Sequence, residues 1–159
     1  MKFSIVFLLL ILTVTSSCSK TDVYEEELTA TTLLTSKKET ELEIFEMVNN
    51  YRIERGLSIL EYNQKAQAYT LEHNIYMISQ NNVNHDNFVQ RSSKLSVDIN
   101  ANVIAENVAR NFISADSVFK AWLASEGHLK NIEGDFTATA ISVYASNEGM
   151  LYFTQVFIK

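Results

Sequence analysis

The sequence predicts an α+β fold, and two periodicities and their order predict it. Apolar residues recur at helical spacing in separate segments between about Thr40 and Ser125. From Ala138 to Ile158 they alternate instead, as in half-buried strands. The helical segments come first and the strands last, which suits segregated layers and not a βαβ series. With 159 residues, 47% of them hydrophobic and 20% charged, the chain is about one domain with enough apolar material for one core.

The first stretch, MKFSIVFLLLILTVTSSCSK, stands apart from the fold. Lys2 precedes an apolar run from Phe3 to Val14, too short to span a bilayer as a helix but of the length of an export signal. Thr15-Ser16-Ser17 supply the small residues of a cleavage site directly before Cys18. The segment resembles a bacterial lipoprotein signal, which implies cleavage of residues 1–17 and acylation of Cys18. Thr15 departs from that pattern, where leucine is more usual. A plain secretory signal and an uncleaved anchor are the other readings. Because Cys18 is the only cysteine, no intramolecular disulfide exists. Residues 18–39 follow as the lipidated cysteine and a flexible Thr- and Glu-rich tether, and the domain proper occupies residues 40–159.

The first helix of the domain is marked by two adjoining stripes, Leu42, Phe45, Val48 and Arg52 beside Ile44, Met47 and Tyr51, with Gly56 placed to stop it. A second helix is expected over 64–79, with Ala66, Tyr69, His73 and Tyr76 along one face; His73 reads as a core or boundary histidine without function. From Gln80 to Asn102 the chain is polar and rich in asparagine and reads as a long loop containing His85. A short strand includes Val103 and Ile104. Ser114 caps a third helix over 114–125, with Asp116 in its first turn and Gly127 and His128 following at its end. The alternation from Ala138 to Ala145, the turn Ser-Asn-Glu-Gly and the run MLYFTQVFI make a β-hairpin.

Formal net charge is −6, which disfavours a nucleic-acid partner, because a phosphate-backbone binder needs a basic face. There is no G-x-S-x-G elbow, H-E-x-x-H helix or glycine-rich phosphate loop. What remains for chemistry is a scattered set: His85, Glu106, Glu126 and His128. Spacing alone does not bring these together.

Five blocks occur in order: VNNYRIERGLSIL (48–60), NHDNF (84–88), AENVA (105–109), WLASEGHLKNI (122–132) and YFTQVF (152–157). Together they resemble bacterial domains of the CAP superfamily, also called SCP or cysteine-rich secretory protein domains. The resemblance implies an α-β-α sandwich with helices on both faces of a small antiparallel sheet. It also implies an open cleft where histidines and acids gather. On this chain the loop histidine is His85, the acid of the ENVA block Glu106 and the histidine of the S-x-G-H block His128. Relatives from animals and plants carry a histidine in the strand before T-Q-V; here Tyr152 stands there. For their second acid Glu126 is only a local match. Trp122, Tyr152 and Phe153 are assigned to the core.

His128, after a helix, has a simple structural role open to it as a charge partner of the helix C-terminus. Glu106 suits either a buried hydrogen-bonded carboxylate or a partner that fixes a histidine tautomer. Two functions follow. One is a binding module that holds a lipid, glycan, peptide or cation in the His/Glu cleft without chemistry. The other is a hydrolase in which His85 and His128, with Glu106, hold zinc or another divalent cation. Either would sit in the bacterial cell envelope, tethered to a membrane through Cys18, at the outer membrane or surface.

Overall fold

A computed structural model describes the backbone from Lys20 and the side chains from Lys37 to the C-terminal Lys159. The expected signal and Cys18 lie outside the described residues. Among those described, no helix is long and apolar enough to cross a membrane.

Helix α1 (Lys20–Glu54) starts well before Thr40 and runs through the stretch expected to be a flexible tether. That stretch contains Glu, Ala, Leu and Lys and neither glycine nor proline, so local propensity favours helix. The buried stripe of α1 is Ile44, Val48 and Arg52, while Leu42 is exposed. Gly56 ends the helix at a positive φ of 71°, as its position predicts. A two-residue strand, β1 (Glu61–Tyr62), leads into α2 (Gln64–Ser79), whose first turn is capped by Asn63 Oδ1 on the Ala66 amide.

The long loop expected after α2 is in fact interrupted by a helix, α3 (Phe88–Ile99). Asparagines punctuate it: Asn81, Asn87 and Asn100 all adopt positive φ, and the last two flank α3. Asparagine tolerates this left-handed region better than most residues, so an asparagine-rich composition here marks helix ends and not a structureless run. Strand β2 (Ile104–Arg110) is longer than the short strand foreseen. Helix α4 (Ala115–Leu123) carries the predicted cap, with Ser114 and Ser117 in a reciprocal capping box. It stops before Gly127. A separate short helix, α5 (Glu126–Ile132), contains both Gly127 and His128. The hairpin is β3 (Ala138–Ala145) and β4 (Leu151–Ile158).

The sheet runs β1-β3-β4-β2. β3 pairs antiparallel with β4 and β4 with β2, while β1 joins β3 in parallel, so the sheet is mixed at one edge. Alternation on the strands divides two cores. Ile141, Val143, Phe153 and Phe157 meet α1, α4 and α5, with Trp122 and Ile132 among their neighbours. Ala140, Val156 and Ile158 turn the other way, onto Ala66 of α2 and Leu95 of α3. Helices on both faces of a small sheet make the α-β-α sandwich. Beneath α2 the interface is partly polar: Thr70 bonds Ser142, and Asn74 bonds both Thr154 and the Ser142 carbonyl, at 2.6–2.8 Å. These buried polar groups are paired with one another, which offsets the cost of their desolvation.

Candidate functional site

Strand β2 forms one edge of the sheet, and its alternation decides where Glu106 points. Ile104 and Val108 pack with the α2 and α3 side, so Glu106 between them faces the same way. Its side chain is 1% exposed. A carboxylate at that depth requires partners, and three elements supply them. His85, from the loop between α2 and α3, places Nδ1 2.9 Å from Glu106 Oε1. Arg91, on the inner face of α3, grips both oxygens, Nη1 to Oε2 at 2.6 Å and Nη2 to Oε1 at 3.1 Å. His73 of α2 lies 3.7 Å from Oε1 through Nε2.

The electrostatics follow from this geometry. Burial pushes the Glu106 carboxyl up, but the hydrogen bonds from His85 and Arg91, with the Arg91 charge, outweigh it and hold the group below the usual carboxylate range. An ionised carboxylate only accepts, so His85 Nδ1 is the donor, and in the neutral ring this leaves Nε2 with the lone pair. His85 is half exposed, with Nε2 free to meet solvent or a ligand. His73 donates from Nε2 to the Asn84 carbonyl at 2.9 Å, which makes its 3.3 Å approach to Arg91 a contact between two N–H groups. Burial lowers the His73 pKa and keeps the ring neutral, while Nδ1 has no partner among the described residues.

His128 approaches from the other side of the β2 edge. It sits in the first turn of α5, not at the C-terminus of α4, because the chain breaks at Ser125 in extended conformation. The role of charge partner to a helix C-terminus therefore does not apply. Burial, and then the charge of His85, lower its pKa, so the two rings share one electrostatic neighbourhood. Its ring packs at a tilt on Trp122, 6.4 Å between centroids. The α5 backbone is pinned to β2 by Asn107 Nδ2 on the His128 carbonyl (3.1 Å) and by Asn131 Nδ2 on the Glu106 carbonyl (3.1 Å). A cavity of about 280 Å³ opens between His85, Phe88, Ile104 and Asn131, with Glu106 in its lining.

His85 and Glu106 are thus in contact and His128 is close enough to feel the charge of His85. No hydrogen bond joins His128 to either of them among the described residues. Glu126 is exposed in the first turn of α5 and makes no hydrogen bond or ion pair with this group. The residues that sequence reasoning missed are Arg91 and His73. No group of three or more His, Cys, Asp or Glu among the described residues is arranged to hold a metal ion. Both Glu106 oxygens are engaged by the Arg91 guanidinium, which disfavours its joining His85 and His128 as a metal ligand. Two imidazoles are what remains for a cation.

Comparisons with known proteins agree with this architecture. The family model described as "Cysteine-rich secretory protein family", CAP, matches residues 45–157. A curated relative, the uncharacterized membrane protein YlbC of Bacillus subtilis (strain 168), is 28% identical over 124 residues, which are 76% of this chain; the chain spans about a third of that protein, 34%. Among solved structures, an outer surface protein from Borrelia burgdorferi superimposes with a TM-score of 0.70 at 22% identity, over 77% of this chain and 94% of that one. An extracellular protein containing an SCP domain from Bacillus anthracis str. Ames gives 0.69 at 25% identity, over 77% and 41%. A cysteine-rich secretory protein from Staphylococcus aureus gives 0.64 at 17% identity, over 77% and 38%. With its ordered blocks, its sandwich and a family model that covers most of its length, the chain belongs to the cysteine-rich secretory protein (CAP) family.

Proposed function

We propose that the chain is an extracytoplasmic binding module, anchored at the bacterial cell envelope by lipid on Cys18, whose cleft over β2 holds its ligand without catalysing a reaction. Relatives described as an outer surface protein and an extracellular protein support the address. The observation that carries the binding reading is the bidentate grip of Arg91 on Glu106. A carboxylate so engaged has little basicity to offer a general base, and its charge is already met by the guanidinium, which makes it a poor metal ligand. The half-exposed ring of His85 lines the cavity beside Phe88 and Ile104, and with Nδ1 held by Glu106 its Nε2 in the neutral form is an acceptor. That combination suits a ligand that brings a hydrogen-bond donor on a partly apolar body: a hydroxylated lipid headgroup, a glycan or a peptide.

The test uses the full chain in detergent. It is incubated with envelope extract and re-isolated, and its bound small molecules are identified by mass spectrometry beside a His85→Ala/His128→Ala variant. The reading predicts a compound on the native chain that the variant lacks. Equal recovery on both, or none on either, overturns it.

A zinc-dependent hydrolase is the weaker second reading. In its favour, a carboxylate that fixes one ring nitrogen of His85 and leaves the other free is how metal-binding histidines are commonly oriented. Against it stands Arg91, whose charge already meets that of Glu106. The net charge of −6 argues against a nucleic-acid partner.

A further inference from the structure

The opposite edge of the sheet carries a groove of different character. β1 pairs with β3 only at Glu61↔Ala138 and Tyr62↔Thr139, after which the chain turns away into α2. Beyond Thr139, side chains hold the outward backbone groups of β3 where another strand would. The Tyr62 hydroxyl donates to the Ile141 carbonyl at 3.1 Å, and Gln67 Nε2 reaches the same oxygen at 3.5 Å. The Val143 amide donates to Glu41 Oε1 at 2.9 Å, and Gln67 Nε2 holds the other Glu41 oxygen at 2.9 Å. Glu41 thus occupies the place of a strand carbonyl.

A groove lies directly over this plugged edge. Lys38 and Glu41 of α1 form one wall, Gln67 and Ala68 of α2 the other, and Ser142 and Val143 the floor. It shares Glu41 and Gln67 with a pocket of about 400 Å³ lined by Leu42, Phe45 and Tyr62. There the Phe45 and Tyr62 rings meet edge to face at 5.5 Å, and Leu42 is 55% exposed. At the other end Lys37 lies over the Tyr144 ring, 5.0 Å from its centroid.

We propose that this groove binds an extended peptide segment of another protein, which adds to β3 as a further strand. A peptide carbonyl takes the Val143 amide from Glu41. An apolar side chain of the peptide enters the pocket between Leu42, Phe45 and Tyr62, and an acidic side chain meets Lys37 and Lys38 on the wall. Main-chain pairing gives affinity, and pockets for alternate side chains give specificity, as in other strand-addition sites. The site lies across the sheet from His85 and Glu106 and does not depend on the function proposed for them.

The test is selection of a random nonapeptide display library on the immobilised full chain, followed by calorimetry and amide hydrogen exchange. Enriched peptides are expected to place an apolar residue near an acidic one and to slow exchange at Val143 and Ala145. They should bind a Glu41→Ala chain roughly tenfold more tightly, because the amide left without its acceptor gains one on binding. Lys38→Glu, at an exposed position, should weaken them several-fold and keeps the test open if Glu41→Ala does not fold. The proposal is overturned if no pattern is enriched over an Ala68→Trp chain with its groove filled. It is equally overturned if Glu41→Ala self-associates and binds no peptide, which would make Glu41 only a guard against edge pairing. Protection that appears along β2 and not β3 would also overturn it.

Discussion

Replacing Arg91 by methionine should expose the electrostatic design of the cleft. Methionine keeps much of the packing but removes the guanidinium from a carboxylate whose side chain is 1% exposed. Removing one partner of a buried pair costs about 3–5 kcal/mol; the Arg91 side chain is itself 20% exposed, and His85 still contacts Glu106, so the lower end, about 3 kcal/mol at pH 7, is expected. For a domain of this size that is about 10 °C in melting temperature. The pH dependence gives the sharper reading. In the native chain the folded pKa of Glu106 lies below its unfolded value of about 4.3. Its contribution is therefore complete above about pH 4.3 and is lost as the pH falls through the folded pKa. The variant lacks most of that contribution, so the gap between the two chains should begin to narrow below about pH 4.3 and be smallest below the lowered folded pKa, where both carry a protonated carboxyl. Urea denaturation at pH 7 and at lower pH measures it, with Arg91→Met/Glu106→Gln as a partner that recovers more than half of the loss. A gap under about 0.5 kcal/mol at pH 7, or an equal gap at both pH values, would refute the reasoning.

Other outcomes follow from single contacts. Arg52 is 2% exposed and forms no ion pair within 4.0 Å among the described residues, Asp135 acting on it only through its charge; its guanidinium binds the carbonyls of Ser58, Ile132 and Gly134 at 2.6–3.0 Å, and burial lowers its pKa. Arg52→Met leaves the buried Ile132 carbonyl, and the partly buried bonds to Ser58 and Gly134, without their donor and should cost about 2 kcal/mol in chemical denaturation. Burial places the folded pKa of His128 below its unfolded value of about 6.5, so the unfolded chain takes up the proton first and stability falls as the pH drops below that value. His128→Gln should flatten this slope in melting curves recorded from pH 7 to pH 5. Ser114→Ala removes the side-chain cap of α4 and should lower stability by about 1 kcal/mol, read by circular dichroism melting.

The parts of the fold that the sequence made legible are those where one local signal dominates. The face of Ala66, Tyr69, His73 and Tyr76 places α2 at its observed bounds, Ser114 caps α4, and alternation defines the hairpin. Helix α3 was hidden because only Leu95 of its twelve residues is fully buried, and polar residues fill much of the rest. Yet Phe88, Leu95 and Ile99 share a helical face, and Arg91 lies on it. Reading that face would have found the cation that Glu106 requires. Gly127 misled for a related reason: its weight as a helix stop was overridden by a break two residues earlier at Ser125, which moved His128 from a negative helix end to a positive one. His73 carried no local sign of its neighbours, since its contacts to Asn84, Arg91 and Glu106 come from elements that only the tertiary fold assembles. The meeting of His85 with Glu106 followed from the family resemblance and not from spacing.

The most direct measurement is the nitrogen-15 spectrum of the His85 ring in its neutral form. The account predicts the ring proton on Nδ1, directed at Glu106, and an unprotonated Nε2 that changes when a ligand enters the cleft. A proton found on Nε2, with Nδ1 bare toward the carboxylate, would contradict it.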